Sequence, residues 1–338
     1  MNDIQRNPND ISITPLDLRN AIDSISAWLR LMIIGQPVLV ERLLIGLLAD
    51  GHLLVEGAPG LAKTRAVRAL ADCVEGEFHR IQFTPDLLPA DLTGTEVYRP
   101  ETGTFEFQRG PLFHSILLAD EINRAPAKVQ SALLESMAER QITVGRHSYP
   151  LPDLFLVMAT QNPIEQEGTY PLPEAQLDRF LLQLNIGYPD FESEQNILKL
   201  ARLEASDALD HKAVNPPPML TREQLFSIRR KVLGLYMSSE VENYIVRVVL
   251  ATRRSGYLPD DLERMIEYGA SPRATIALDR CARAHAWLRG RDFVTPEDIQ
   301  RLAPDVLRHR LVLSYEAEAD GIDADQFIGE LLSRVAAP

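Results

Sequence analysis

The chain has 338 residues, 45% of them hydrophobic and 25% charged, with a net charge of -13; that is long enough for more than one packed unit and has the balance of a soluble globular protein. No apolar run reaches the roughly eighteen residues of a membrane span, and the opening MNDIQRNPND lacks the basic-then-apolar layout of a signal peptide. The two distant cysteines, Cys73 and Cys281, have no metal-ligand spacing and fit a reducing cytoplasm, while the acidic total argues against holding duplex nucleic acid through the overall field.

Residues 1–13 read as a flexible tail. PLDLRNAIDSISAWLRLMI then places Leu16, Ile22, Ile25, Leu29 and Met32 near one helical face, and GQP ends the helix. From about residue 50 to 186, five short apolar runs alternate with helical stretches: LLVEG, FHRIQF, SILLADE, LFLVMAT and LLQLNI. That rhythm predicts an α/β unit built on a parallel sheet, assigned to residues 14–188. Within it, TEVY and TFEF alternate around RPETG and predict a hairpin in the segment of about residues 84–112. QITVGRHSYPL predicts a second hairpin over about residues 141–152. From Phe191 onward helical spacing takes over, which predicts an all-helical unit over residues 189–338; the three prolines at 216–218 mark a loop inside it.

The stretch LLVEGAPGLAKTRAVRAL, residues 53–70, has the context of a phosphate-binding loop: buried strand, glycine-bearing turn, helix. The candidate nucleotide-binding residues are Gly57, Ala58, Pro59, Gly60, Leu61, Ala62, Lys63 and Thr64. Backbone N–H groups there would point at phosphates, Lys63 would reach the β- and γ-oxygens, and the Thr64 hydroxyl would ligate Mg²⁺. The pattern asks for glycine before the lysine, and this chain has Ala62. Alanine keeps the N–H donor and adds only a methyl, which is tolerable if its φ is negative, as expected of a residue entering a helix. Such a short pattern also arises by chance as a glycine-bearing strand-to-helix turn.

SILLADEINRAP carries the next signal: an apolar strand delivers Asp120 and Glu121 to its carboxyl end, where ligands bind in open α/β sheets. Asp120 is the candidate partner of Mg²⁺, and Glu121 can polarise a water for attack on a γ-phosphate; the plain alternative is a solvated acidic turn. The five lysines include none with an Asp two positions later, so a lysine-aspartate guanine reader is missing and ATP is the expected nucleotide. LFLVMATQNP ends another strand with Asn162, a neutral donor able to position the attacking water, or alternatively a turn residue before proline. Arg179 follows a short helix in LPEAQLDRF, and Arg273 lies in the first turn of the helix opened by ASPRA. A cation at a helix start opposes the macrodipole and hints at an anionic partner; an ordinary surface salt bridge is the alternative for each arginine.

Together, GAPGLAKT, LLADEINRAP, ATQNP, LPEAQLDRF and ASPRA, in this order and spacing, resemble the MoxR family of AAA+ ATPases, from about Ile34 to the end of the chain. The resemblance implies an ATP- and Mg²⁺-dependent ATPase with a P-loop AAA+ core and a helical lid. It gives Lys63 and Thr64 as the Walker A pair, Asp120 and Glu121 as Walker B, Asn162 as sensor 1 and Arg273 as sensor 2. Arg179 looks like the arginine finger, with Arg124 as the other candidate. The two hairpins look like the helix-2 insert and the pre-sensor 1 insertion, which in a ring would face the pore or a client. By the same resemblance the chain is expected to form a homo-oligomeric, hexameric ring in the cytoplasm, acting on partner proteins of which some carry von Willebrand factor A domains. The alternatives are the motor subunit of a metal-chelatase-type complex or a nucleic-acid translocase of the same clade. For the latter, the sequence offers only the small Arg excess of residues 247–310, twelve against nine acids.

Overall fold

The computed structural model describes residues 15–163, 168–210, 216–253, 256 and 259–338; the expected tail at 1–13 lies outside them, as does part of the proline-bearing loop. Helices α1 (Pro15–Met32) and α2 (Pro37–Leu48) precede the sheet. On α1, Leu18, Ile22, Ile25, Trp28 and Leu29 are buried, a stripe at three- and four-residue spacing that packs the helix onto the core.

Five strands follow: β1 (Leu53–Glu56), β2 (Phe78–Gln82), β5 (Ile116–Asp120), β8 (Leu156–Gln161) and β9 (Leu182–Asn185). They form one parallel sheet in the order β2-β5-β8-β1-β9. All five are the predicted apolar runs. Because successive side chains point to opposite faces, the inner strands β1, β5 and β8 each feed two cores. Leu53, Val55, Ile116, Leu118, Leu156 and Met158 join one apolar cluster together with α1, α2, α3 (Lys63–Ala71) and the carboxyl-terminal helices. Leu54, Leu117, Ala119, Val157 and Ala159 join the other, under α5 (Ala127–Glu139).

The first predicted hairpin is β3 (Gly94–Arg99) against β4 (Thr104–Arg109), entered through the short helix α4 (Pro89–Thr93). The second is β6 (Gln141–Val144) against β7 (His147–Pro150). Phe107 of β4 stacks on Tyr149 of β7 with ring centroids 4.1 Å apart, so the two insertions lie side by side. Tyr98 and Phe105 remain exposed.

After α6 (Glu174–Leu177) and β9, the chain continues through α7 (Phe191–Asp210), α8 (Arg222–Leu233), α9 (Ser239–Ala251), α10 (Asp260–Glu263), α11 (Pro272–Leu288), α12 (Pro296–Leu307), α13 (Tyr315–Ala319) and α14 (Ala324–Arg334). Among the described residues this carboxyl-terminal part is mainly helical, and β10 (Ile266–Tyr268) pairs antiparallel with β11 (Val312–Leu313). Segments of three and two residues are too short to show alternation in a sequence. The buried Arg42 of α2 donates from Nε to the Asp305 carboxylate of α12 at 2.6 Å, fastening this part to the sheet-bearing part. Among the described residues, no helix is long and apolar enough to cross a membrane.

Candidate functional site

Strand β1 runs into the loop 57–62, and α3 begins at Lys63. Gly57 is demanded by packing, since a Cβ there would meet the Ile186 side chain at 2.5 Å and its carbonyl oxygen at 2.8 Å. Gly60 has φ 85°, a conformation open to glycine at little cost. Ala58 and Leu61 turn their side chains into the core. Pro59, Gly60, Ala62, Lys63 and Thr64 line an open cleft whose remaining walls are Asp120, Glu121, Asn162, Arg65 and Arg80. The expected phosphate loop, both acids and the candidate sensor asparagine therefore meet in one place. The sheet order explains this: β5 and β8 run parallel to β1, so their carboxyl ends share an edge with the loop.

Ala62 departs from expectation. Its backbone lies at φ 59°, ψ 17°, in the left-handed region, rather than at a negative φ. The residue is the N-cap of α3, where the chain has not yet taken helical angles, and here the turn places it where the missing glycine would sit freely. A side chain in that region costs about 1–2 kcal/mol. We therefore expect Ala62→Gly to raise stability by about 1 kcal/mol, after the larger unfolded-state entropy of glycine is subtracted, with ATP affinity unchanged within a few-fold. Thermal melts and nucleotide titration check both statements; a lower melting temperature would contradict the strain.

Lys63 donates from Nζ to the carbonyls of Gly57 and, at 3.1 Å, Ala58. Burial pushes its pKa down, opposed by the nearby charges of Asp120 and Glu121. The ammonium is thus half desolvated, held by its own loop and aimed into the cleft. Asp120 is buried at the end of β5; its Oδ1 accepts from the Thr160 hydroxyl at 2.6 Å, and its Oδ2 receives Arg80. Glu121 is also left-handed, at φ 58°, with its N–H bonded to Thr160 Oγ1 at 2.9 Å. Its Oε2 accepts from Gln82 Nε2 at 2.7 Å, and Arg124 lies 3.2 Å away. Strain of this sort, of order 1–3 kcal/mol, clusters at functional sites. Asn162 is 5% exposed and lines both this cleft and an adjoining one that reaches Glu56 and Asn123.

The donor set fits Mg²⁺. Thr64 and Asp120 offer hard oxygen ligands beside the loop. Among the described residues there is no group of three His, Cys, Asp or Glu that could hold a metal by themselves. Mg²⁺ is characteristically held by one or two protein oxygens, with water and nucleotide phosphate completing the shell.

Arg179 and Arg273 are placed elsewhere. Both line a second cleft, with Arg140, Arg280 and Asp178, which shares no lining residue with the loop cleft. Arg179 follows α6 as expected, and its Nη1 donates to the Leu134 carbonyl of α5 at 2.6 Å. Arg273 sits in the first turn of α11, whose N-cap is Ser271. The ion pair considered as the plain alternative is present but loose: Arg273 lies 3.9 Å from Asp178 and is half exposed. Asp178 is already engaged by Arg310 at 2.8 Å and Ser271 at 2.9 Å, so Arg273 is its outermost and most replaceable partner.

Residues 52–182 match the family described as "ATPase family associated with various cellular activities (AAA)", and residues 260–331 match the AAA lid domain. The chain is similar to Chaperone MoxR1 of Mycobacterium tuberculosis, 49% identical over 91% of this chain and 80% of that protein. The chain belongs to the MoxR family of AAA+ ATPases. It is also similar to Protein MoxR of Methylorubrum extorquens, 32% identical over 98% of each chain. A solved structure of a candidate ATPase from Cytophaga hutchinsonii superposes with a TM-score of 0.85 at 46% identity, covering 96% of each chain. Similarity to magnesium-chelatase subunits is more distant.

Arg80 and Arg65 complete the cleft of this MoxR chain, and Gln82 and Thr160 hold its two acids, but no motif singles out any of the four. FHRIQF reads as a strand on its apolar residues, yet Arg80 and Gln82 share one face at period two, and Gln82 pairs in register with Asp120. Two polar side chains on one face of a strand otherwise expected to be buried were the available signal. Arg65 reaches across from α3 to Glu204 of α7, tying the long exposed helix to the loop; a contact over 139 residues leaves no mark in local spacing.

Proposed function

We propose that this MoxR ATPase hydrolyses ATP with Mg²⁺ in a head-to-tail homo-oligomeric ring, with a hexamer as the working number. In this reading the ring remodels or activates partner proteins in the cytoplasm. The observation that carries the reading is the separation of the two clefts. One holds the phosphate loop, both acids and Asn162; the other presents Arg179 and Arg273. A heterologous contact brings one face of a subunit against a different face of the next and closes when the rotation permits. Such a contact would set the arginine cleft of one copy over the loop cleft of its neighbour.

Bound Mg²⁺ would neutralise charge on the β- and γ-phosphate oxygens. The chain's own groups do the rest. Lys63 exchanges its loop carbonyls for phosphate oxygens, and Thr64 and Asp120 are the residues that would hold the cation. Asn162 positions the attacking water, and Glu121 accepts its proton. The partner reading rests on the MoxR relatives, one of which is named a chaperone, and on the two aromatic-bearing hairpins stacked side by side with Tyr98 and Phe105 open to solvent. By family resemblance, a protein carrying a von Willebrand factor A domain is the preferred partner over a chelatase complex or a nucleic acid. Affinity capture with Glu121→Gln tests this, because a subunit that holds ATP unhydrolysed should retain its partner. Recovery of a von Willebrand factor A domain protein with ATP but not with ADP supports the reading; ATP-dependent recovery of nucleic acid instead would overturn it.

A further inference from the structure

Asp120, the residue proposed to face Mg²⁺, is not waiting with free oxygens. Arg80 donates from both Nε and Nη2 to the same atom, Asp120 Oδ2, at 3.1 and 2.7 Å. A carboxylate oxygen has two lone-pair sites, so Arg80 fills Oδ2. Oδ1 is engaged by Thr160 at 2.6 Å, so the described residues leave a single acceptor site on the carboxylate. The guanidinium is itself positioned: Nη2 also donates to Gln82 Oε1 at 2.9 Å, and the other end of that amide donates to Glu121 Oε2. One polar chain thus runs Asp120, Arg80, Gln82, Glu121 along the wall of the loop cleft.

The environments of the two partners differ in a way that gives the pair a direction. The Asp120 side chain is 11% exposed and the Arg80 side chain 49%. Asp120 cannot leave, being fixed at the end of a fully buried strand. Arg80 stands on the edge strand β2 and can turn to water without being dragged through a core. A hydrated divalent cation approaching Asp120 and Thr64 finds only one open acceptor site on the carboxylate while Arg80 holds Oδ2, and it brings two positive charges to the place of one.

We propose that Arg80 is a positioning residue that serves as a resident counter-ion of the metal seat, neutralising the charge of Asp120 when no metal is bound and being exchanged for Mg²⁺ when the loaded nucleotide arrives. The proposal rests on the reading of Asp120 as the metal-facing residue. Two opposite consequences follow from the exchange. With no metal present, Arg80 offsets the carboxylates that would repel incoming phosphates, so metal-free nucleotide still binds. With metal present, Arg80 competes for Oδ2 and raises the Mg²⁺ concentration needed. Removing Arg80 weakens the first state and strengthens the second, whereas loss of a merely structural contact weakens both alike.

The test is calorimetric binding of a non-hydrolysable ATP analogue in excess EDTA and in saturating Mg²⁺, together with a Mg²⁺ titration at fixed analogue. In Arg80→Gln the ratio of the two dissociation constants, EDTA over Mg²⁺, is expected to rise by about tenfold, since charge-assisted hydrogen bonds are strong but half exposure screens this pair. The Mg²⁺ midpoint falls in parallel. Arg80→Lys, which keeps the charge on one donor group, lies between and guards against a folding defect in the glutamine variant. Asp120→Asn is run alongside. If it removes the Mg²⁺ dependence while Arg80→Gln and Arg80→Lys leave the ratio at the wild-type value, Arg80 is no counter-ion of the seat. If Asp120→Asn leaves the Mg²⁺ dependence intact, the reading of Asp120 falls, and the role of Arg80 with it.

Discussion

Glu121→Gln is expected to abolish ATP turnover while leaving nucleotide binding intact, and Lys63→Ala to weaken binding and turnover together. The contrast follows from where each group stands. Glu121 sits at the cleft wall with its backbone in a left-handed turn and its carboxylate held by Gln82 and Arg124. Those two contacts fix the side chain without filling its remaining acceptor sites, which suits a group that must accept a proton from water. Replacing the carboxylate by an amide keeps the shape and removes the basicity, a loss on the order of 10²–10⁴ in rate for general-base catalysis. Lys63 acts on the ground state as well. Its ammonium is half desolvated, with its pKa pushed down by burial, and its partners among the described residues are the carbonyls of Gly57 and Ala58. A phosphate group is a better partner for such an ammonium than two neutral carbonyls, so alanine at 63 should weaken ATP binding by about tenfold or more. Turnover assays paired with nucleotide titration separate the two. Undiminished turnover in Glu121→Gln would remove that residue from the chemistry and leave Asp120 as the acid to examine.

The parts of this site that were legible in the sequence are those in which chain order and spatial order coincide. A phosphate loop is a local object, strand then turn then helix, and all its candidate residues lie within eight positions, 57–64. Asp120 and Asn162 were legible for a related reason: each follows an apolar run, and parallel strands carry the ends of such runs to one edge of the sheet. Ala62 differs because helix entry does not set its φ. The turn before the helix sets it instead, and a single alanine carries no signal of a left-handed angle. Arg80 has no local signal because its contact with Asp120, 40 positions along the chain, depends on the register of β2 against β5. Arg179 and Arg273 are legible as motif positions, but how α11 lies on the core is encoded by no spacing. The structure sets Arg273 beside Asp178 and Arg179, away from the residues that line the loop cleft.

That displacement sharpens the prediction for the assembled protein. One chain brings Lys63, Asp120, Glu121 and Asn162 to its loop cleft, while Arg179, anchored to the Leu134 carbonyl, and Arg273, loosely held by Asp178, open onto another. If a neighbour's arginines complete the site, specific activity should rise with protein concentration, and Arg179→Ala should lower turnover on the order of 10³-fold or more, as expected for an arginine acting in trans on phosphoryl transfer. Mixing then discriminates. Arg179→Ala subunits keep Glu121, and Glu121→Gln subunits keep Arg179, so in an equimolar head-to-tail ring about one junction in four pairs an intact glutamate with an intact arginine. Turnover should partly return on mixing, although neither parent is active. The same experiment with Arg273→Ala decides where that residue acts: rescue places it on the neighbour's site with Arg179, whereas an inactive mixture places it on its own. A chain carrying both Arg179→Ala and Glu121→Gln separates complementation from dilution. Mixed with either single variant it offers no junction with both groups intact, so turnover in those mixtures would show that the recovered activity has another origin. Concentration-independent activity, with no rescue of Arg179→Ala, would leave its bond to Leu134 as a structural tie within one subunit.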